Sequence, residues 1–213
     1  MYYDSDFITF AKHKAIFLSK IDMSQKGSVD EPIENLVLYL NNNCDDYFTT
    51  SSCSGRITLF TDSIDEQNTD EIKHHKKTCR FVLTSHQIID FHTLLNAFSK
   101  FYDDETNRRK VLSFKFEPFI FQVRCRTLAS AQMLHNLALE CGFRNTGLTI
   151  GGQNKKKLTL TLRSTLIMEA PLNFSSTAES MQLLVETANE KMTKNLEMIR
   201  NFDFKFKSTF KIV

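Results

Sequence analysis

The sequence lacks the features that direct a protein into a membrane or out of the cell. No apolar run approaches the length of a membrane span, and the polar, acidic residues 1–6 do not form a signal peptide. The five cysteines are odd in number and no two are spaced CxxC, which argues against a disulfide scaffold and a cysteine-rich zinc site. We therefore expect a soluble, cytoplasmic protein that holds no metal.

Motifs of several enzyme classes are missing as well. No GxGxxG follows a strand-like segment, and neither a Walker A lysine loop nor an HExxH metal motif occurs. The net charge is only +2, so overall charge gives no indication of nucleic acid. Local basic clusters at 74–77, 108–110 and 155–157 can hold an RNA backbone, although charge runs more often lie in solvent.

The composition that is present suits a globular protein, with 41% hydrophobic and 24% charged residues. The length fits one domain, which we assign to residues 1–202, followed by a basic-aromatic tail at 203–213. Apolar residues at helical spacing predict five helices. Their apolar stripes lie within residues 8–18, 33–40, 91–98, 131–141 and 181–199.

Local signals predict where some of these helices begin and end. Ser28 and Ser176 each precede a glutamate at capping-box spacing, and Pro32 suits a first turn. Thr127 is expected to be an N-cap, and Gly142 is a stop signal.

Strands are expected between the helices, and several of them pair as hairpins. They are predicted within residues 47–51, 56–61, 80–85, 111–117, 119–125, 148–150 and 158–162. A Ser/Cys/Gly turn is expected to join the first two, and Pro118 separates the fourth from the fifth. Hairpins separated by helices indicate an α+β fold.

Strand alternation collects polar side chains on one face of the predicted sheet. These side chains are Arg56, Thr58, Ser113, Lys115, Glu117, Gln122, Arg124, Arg126, Thr159, Thr161 and Arg163. The face is either an ordinary solvent-facing surface or a polar groove for a charged cofactor and a nucleotide.

The segment TTSSCSGR, residues 49–56, gathers hydroxyls, a thiol, a glycine and an arginine. Hydroxyls and backbone N–H groups in a tight glycine turn can cradle a carboxylate or phosphate, which Arg56 can clamp. An ordinary polar turn has the same composition. Cys53 with His86 as base is an alternative, thiol-dependent chemistry. His86 can also act as an acid or base near neutral pH, or cap the helix that follows it.

Taken in order, these segments resemble the wybutosine-synthesising tRNA N-methyltransferases. The resemblance is carried by residues 20–22 (KID), 26–31 (KGSVDE), 47–57 (YFTTSSCSGRI), 84–86 (TSH), 115–118 (KFEP), 142–147 (GFRNTG), 163–165 (RST), 171–172 (PL) and 188–191 (ANEK). The Ser-Ser-Cys-Ser-Gly-Arg block is specific, and the segments cover nearly the whole chain. The chain departs from the family at Phe81, where Trp is common, and at Gln122, where His is common.

The resemblance implies S-adenosylmethionine as methyl donor and phenylalanine tRNA as partner. The implied acceptor is a ring nitrogen of the demethylated wyosine intermediate next to the anticodon, and other wybutosine-pathway enzymes are candidate partners. The implied fold is a single α+β domain with repeated strand-strand-helix units and a curved, barrel-like mixed sheet, unlike the Rossmann methyltransferases.

The implied activity suggests a role for each polar segment. We expect these segments to converge on one water-lined cavity. The expected cofactor-binding residues are Ser51, Ser52, Ser54, Gly55, Arg56, Arg163, Ser164 and Thr165. The expected substrate-binding residues are Lys115, Arg144, Asn145 and Gly147. Glu117 or His86 is expected to orient the acceptor or take its proton. The alternative from another class is a non-catalytic tRNA-binding module that assists other tRNA-modification enzymes.

Overall fold

The structure, a computed structural model, describes residues 5–19, 27–63, 78–152 and 157–210. In these ranges the elements are α1 (Ser5–Leu18), α2 (Glu31–Asn43), β1 (Tyr47–Ser63), β2 (Thr78–Ser85), α3 (Phe91–Tyr102), β3 (Leu112–Cys125), α4 (Leu128–Glu140), β4 (Gly147–Gly151), β5 (Lys157–Arg163), β6 (Met168–Leu172) and α5 (Ala178–Thr209). A short 3-10 helix, Glu105–Asn107, lies before β3. The basic cluster at 74–77, and residues 155 and 156 of the third cluster, lie outside the described residues.

The strands of the described ranges form one six-stranded sheet in the order β2-β1-β3-β5-β4, with β6 paired to β3. The pairs β1/β2, β3/β5, β3/β6 and β4/β5 are all antiparallel. The α+β class is therefore confirmed, and a parallel Rossmann sheet is excluded. The mixed, barrel-like sheet is corrected to an open antiparallel one, because β2 and β4 end the strand order.

The chain folds as two compact units. Unit 1 consists of the described parts of Met1–Ser54, Pro118–Thr165 and Asn195–Val213, and unit 2 of those of Gly55–Glu117 and Leu166–Lys194. The strands β1 and β3 and the helix α5 contribute residues to both units. Residues 203–209, predicted as a tail, continue helix α5. No helix within the described ranges is long and apolar enough to cross a membrane.

The core of unit 1 lies between the sheet and three helices. Phe119, Phe121 and Val123 alternate along β3 with partly exposed residues and are fully buried. They pack with the apolar sides of α2, α4 and the C-terminal half of α5, whose Phe202 and Phe206 are also fully buried. Each such phenylalanine stabilises the fold by about 1.5–3 kcal/mol through burial, which explains why the predicted tail is ordered helix.

The buried face of β3 changes parity at Glu117 and Pro118. In unit 2 the even residues Leu112, Phe114 and Phe116 are buried, whereas the odd residues are buried after Pro118. Along a strand that alternates strictly, such a change exchanges the residues that are buried with those that are partly exposed. β3 nevertheless stays one strand, so the predicted break at Pro118 is wrong.

Some predicted boundaries are also corrected. The N-cap of α2 is Asp30 rather than Ser28, and its carboxylate makes no capping bond. At the start of α5 the Thr177 hydroxyl accepts the bond from the Ser180 N–H, one residue after the predicted Ser176. The Thr127 cap is confirmed, as part of a capping box with Ser130. The strand β6 was not predicted.

Candidate functional site

The predicted Ser/Cys/Gly turn does not exist, because β1 runs unbroken from Tyr47 to Ser63. Gly55 has a φ of 109° inside the strand, a conformation that residues with a Cβ atom rarely adopt. The glycine therefore allows a local irregularity in the strand instead of a chain reversal. Cys53 likewise lies in a strand, so the strained turn that presents a nucleophile in hydrolases is not formed.

Ser54 is bonded within the protein. It is 1% exposed, and its backbone N–H and its hydroxyl both donate to Oδ2 of Asp30, at 2.8 and 3.1 Å. The Asp30 carboxylate, which the sequence places near a helix start, thus holds the strand instead of the helix. Both donors of Ser54 are therefore used within the protein, which makes the residue a structural anchor of the motif.

A second anchor of the same segment is Asn195 of α5, which is fully buried. Its Nδ2 donates to the Ser54 carbonyl at 2.7 Å, and its Oδ1 accepts from the Phe119 N–H at 2.8 Å. The side-chain amide of Asn195 therefore hydrogen-bonds to one backbone group of β1 and one of β3, beside residues Ser52–Ser54. Sequence reasoning missed this residue, although an asparagine three residues after Met192 and four before Ile199 interrupts an apolar stripe.

Two predicted segments of unit 1 do lie side by side. The Asn145 N–H donates to the Arg163 carbonyl at 3.2 Å, and Gly147 pairs with Thr161 in the β4/β5 ladder. Arg144, Asn145, Gly147, Arg163 and Thr165 are exposed, as is Ser51, whereas Ser52 is half-buried. Ser164 is 1% exposed, so its hydroxyl is less accessible than the others. The open end of the hairpin thus presents polar groups from both of its strands.

The polar face predicted for β3 and β5 is confirmed in unit 1. Gln122 pairs with Thr161 and Arg124 with Thr159, which places all four side chains on one face. The Thr50 hydroxyl donates to the Gln122 carbonyl at 3.3 Å and joins β1 to this group. The Arg124 guanidinium is partly buried, and this burial lowers its pKa. No carboxylate of the described ranges forms an ion pair with it, so it is a cation suited to an anionic ligand.

In unit 2 the predicted polar face contains a network of charges. Arg56 Nε lies 2.6 Å from Glu117 Oε2. Lys115 Nζ lies 3.6 Å from Glu117 Oε1 and 3.4 Å from Glu169 on the adjacent strand β6. Two cations therefore hold the Glu117 carboxylate in place, with both of its oxygens in contact. The sequence predicts that these residues share a face, but their pairing is visible only in the structure.

His86 is also fixed in unit 2. Its Nδ1 lies 3.0 Å from the carbonyl oxygen of Gly55. A carbonyl can only accept a hydrogen bond, so Nδ1 carries the proton and donates. In the neutral imidazole Nε2 is then the basic nitrogen. The contact also shows that Gly55, predicted to bind the cofactor, contributes its carbonyl to orienting the histidine.

Three of the other cysteines do not favour thiol chemistry. Cys44, Cys125 and Cys141 are buried, and burial raises the pKa of each thiol, that of Cys125 to about 12. Thiols of this kind stay protonated at neutral pH and are poor nucleophiles.

Comparisons with known proteins agree on one family. Residues 12–208 match the family model described as "Methyltransferase TYW3". The chain is 40% identical over 201 residues to the tRNA wybutosine-synthesizing protein 3 homolog of Danio rerio, covering 91% of this chain and 73% of the relative. It is 41% identical over 197 residues to the homolog of the same name in Homo sapiens, covering 91% and 70%.

Solved structures show that other proteins share this fold. The PH1069 protein from Pyrococcus horikoshii has a TM-score of 0.74 and 29% identity, over 94% of this chain and 95% of that one. A hypothetical protein from Aeropyrum pernix, at 20% identity and a TM-score of 0.64 over 84% of this chain and 98% of its own, shares the fold.

Proposed function

Because this chain belongs to the methyltransferase TYW3 family, we propose that it N-methylates the demethylated wyosine intermediate next to the anticodon of phenylalanine tRNA. As a member of that family it is a tRNA-modifying methyltransferase of the wybutosine pathway, with S-adenosylmethionine as donor. The observation that carries the proposed reaction is the match, over 91% of this chain, to relatives named as tRNA wybutosine-synthesizing protein 3 homologs. The reaction takes place in the cytoplasm, beside the other enzymes of the pathway.

The polar groups of unit 1 fit the donor. S-Adenosylmethionine supplies an electrophilic methyl group on a sulfonium that leaves readily, so the protein mainly has to align the reactants. The donor also carries a carboxylate, and Arg124 is a partly buried cation whose charge no carboxylate of the described residues balances. We assign Arg124 to that carboxylate. Ser51, Ser52, Arg163 and Thr165 supply further hydrogen bonds, while Ser54 and Ser164 are buried supports.

The charged face and the histidine of unit 2 fit the acceptor. Glu117, held by Arg56 and Lys115, orients the acceptor base through its carboxylate. His86 takes the proton of the acceptor nitrogen at Nε2, because the Gly55 carbonyl keeps the other ring nitrogen protonated. Arg56 thus acts as the partner of Glu117 rather than as a clamp on the donor carboxylate.

Exposed polar groups are available for the tRNA backbone. Arg144, Asn145 and Gly147 are exposed in unit 1, as are the three residues of the 108–110 cluster in unit 2. Exposed cations contribute to RNA binding mainly through the phosphates and depend on salt. We expect tRNA affinity to fall steeply with ionic strength.

Methyl transfer to a defined tRNA tests the proposed function. Purified protein is mixed with methyl-labelled S-adenosylmethionine and with phenylalanine tRNA from cells that lack this methylation step. We expect label in the base beside the anticodon, and none in an unmodified transcript of the same tRNA. Tight binding of tRNA without heat of binding for S-adenosylmethionine in calorimetry would instead support the non-catalytic tRNA-binding module.

The donor assignment predicts a specific loss in the Arg124→Gln variant. Losing a charge-assisted hydrogen bond should raise the dissociation constant for S-adenosylmethionine roughly tenfold or more, measured by calorimetry. The matched control is Arg200→Gln, at an exposed arginine of α5 in the same unit, which should bind like the wild type. Equal affinity of all three proteins would remove Arg124 from the donor site.

A further inference from the structure

A β-bulge turns one aromatic side chain of unit 2 away from the apolar core. Leu59 pairs with Leu83, but Phe60 pairs with Phe81, so Val82 is an extra residue on β2. Without this bulge, alternation would place Phe81 on the buried side with Leu83. Bulges often re-aim a side chain near a functional site. Here Phe81 comes to lie against Phe60, with 5.9 Å between the ring centroids.

The Phe81 ring remains accessible in this position. It is 46% exposed, although Phe60 packs beside it and the Arg56 guanidinium carbon lies over it, 5.5 Å from the ring centroid. An aromatic ring and a guanidinium offered together are what proteins use to stack unpaired nucleobases.

The same face holds a buried hydroxyl without a partner. Thr58 lies between Arg56 and Phe60 in strand alternation and is 1% exposed. Its Oγ1 has no hydrogen-bond partner among the residues that the structure describes. Leaving a buried hydroxyl unpaired costs free energy, so a ligand that bonds to it removes a penalty present in the unliganded protein.

The charge balance of this face indicates the kind of ligand. Arg56 is already neutralised through Nε by Glu117, while its terminal Nη atoms have no acidic partner within the described ranges. A phosphate would bind best to a cation whose charge no carboxylate neutralises, which is not the state of Arg56. A neutral, planar heteroaromatic ring can stack on Phe81 and still accept hydrogen bonds from the Nη groups.

We propose that Phe81, Thr58 and Arg56 form the recognition surface for the acceptor nucleobase, which stacks on Phe81 and hydrogen-bonds to the Thr58 hydroxyl and the Arg56 Nη groups. This rests on the proposed function and adds the residues that select the tricyclic base over an unmodified guanine. The larger ring system covers more of the phenylalanine, so the modified tRNA binds more tightly.

Binding of two tRNAs tests this surface. One is phenylalanine tRNA carrying the demethylated intermediate, and the other is its unmodified transcript. Phe81→Leu should weaken binding of the modified tRNA roughly 5- to 150-fold, with a much smaller change for the transcript, so the ratio of the two dissociation constants falls. The control is Phe174→Leu, at a phenylalanine that is 52% exposed and has Arg108 at the same 5.5 Å. It should keep the wild-type ratio.

Tryptophan offers a direct signal of stacking, because the wild-type sequence contains none. Phe81→Trp should keep the wild-type ratio of dissociation constants, and its emission should be quenched by the modified tRNA more than by the transcript. Phe174→Trp should respond equally to both tRNAs.

The Thr58→Val variant separates recognition from folding. Valine has the shape of threonine without its unpaired hydroxyl, so the free energy of unfolding should stay level or rise, while the modified tRNA binds several-fold more weakly. Wild-type ratios in both Phe81→Leu and Thr58→Val, or equal quenching of Phe81→Trp by both tRNAs, would overturn this inference. The proposed function would still stand if the wild type methylates the modified tRNA, and it would fail separately if no methyl is transferred.

Discussion

Replacing His86 with asparagine is expected to slow methyl transfer roughly 100- to 10,000-fold, the usual size of a general-base contribution. The asparagine amide can still donate to the Gly55 carbonyl, as Nδ1 does now, but it cannot accept a proton. The rate constant is measured in a single turnover with saturating donor and tRNA. Dissociation constants for both ligands should stay within a few-fold of the wild type.

His92→Asn is the matched control, since His92 is exposed on α3 of the same unit. A His86→Asn enzyme with the wild-type rate would remove the histidine from proton transfer and leave Glu117 as the candidate.

The Asn195→Leu variant is expected to lose about 3 kcal/mol of unfolding free energy. Leucine leaves the Ser54 carbonyl and the Phe119 N–H buried without their partner, at about 1–3 kcal/mol for each group. The variant should unfold at a lower urea concentration, measured by circular dichroism.

The control for this prediction is Asn201→Leu, at an exposed asparagine on the same helix. Surface substitutions of this kind usually change stability by no more than about 0.5 kcal/mol. If Asn195→Leu and Asn201→Leu unfold at the same urea concentration, the hydrogen bonds of the Asn195 amide to β1 and β3 do not stabilise the fold.

Periodicity explains most of the fold that the sequence predicts. The helices and the polar face around Lys115 and Glu117 follow from spacing alone, because a helix or strand repeats its environment at a fixed interval. The Gly55 turn and the Pro118 break are wrong for one reason. Glycine and proline signal local irregularity, but a long sheet can absorb an irregularity without reversing the chain.

The site is less predictable because it depends on pairs of residues far apart in the chain. Glu117 and His86 were predicted as functional from their residue types and the family resemblance. Their partners, Arg56 Nε and the Gly55 carbonyl, are revealed only when distant strands are aligned. The bulge that exposes Phe81 is equally invisible in the sequence, where strict alternation would bury that ring.

The central claim is that the Arg56–Glu117 pair acts as one unit in methyl transfer. The most direct test is a double-mutant cycle of Arg56→Gln and Glu117→Gln, with single-turnover methyl transfer to the modified tRNA as the readout. Residues that work as a unit are not additive, so the double variant should be no slower than the slower single variant. Independent, multiplying losses, or wild-type rates in both single variants, would contradict the account.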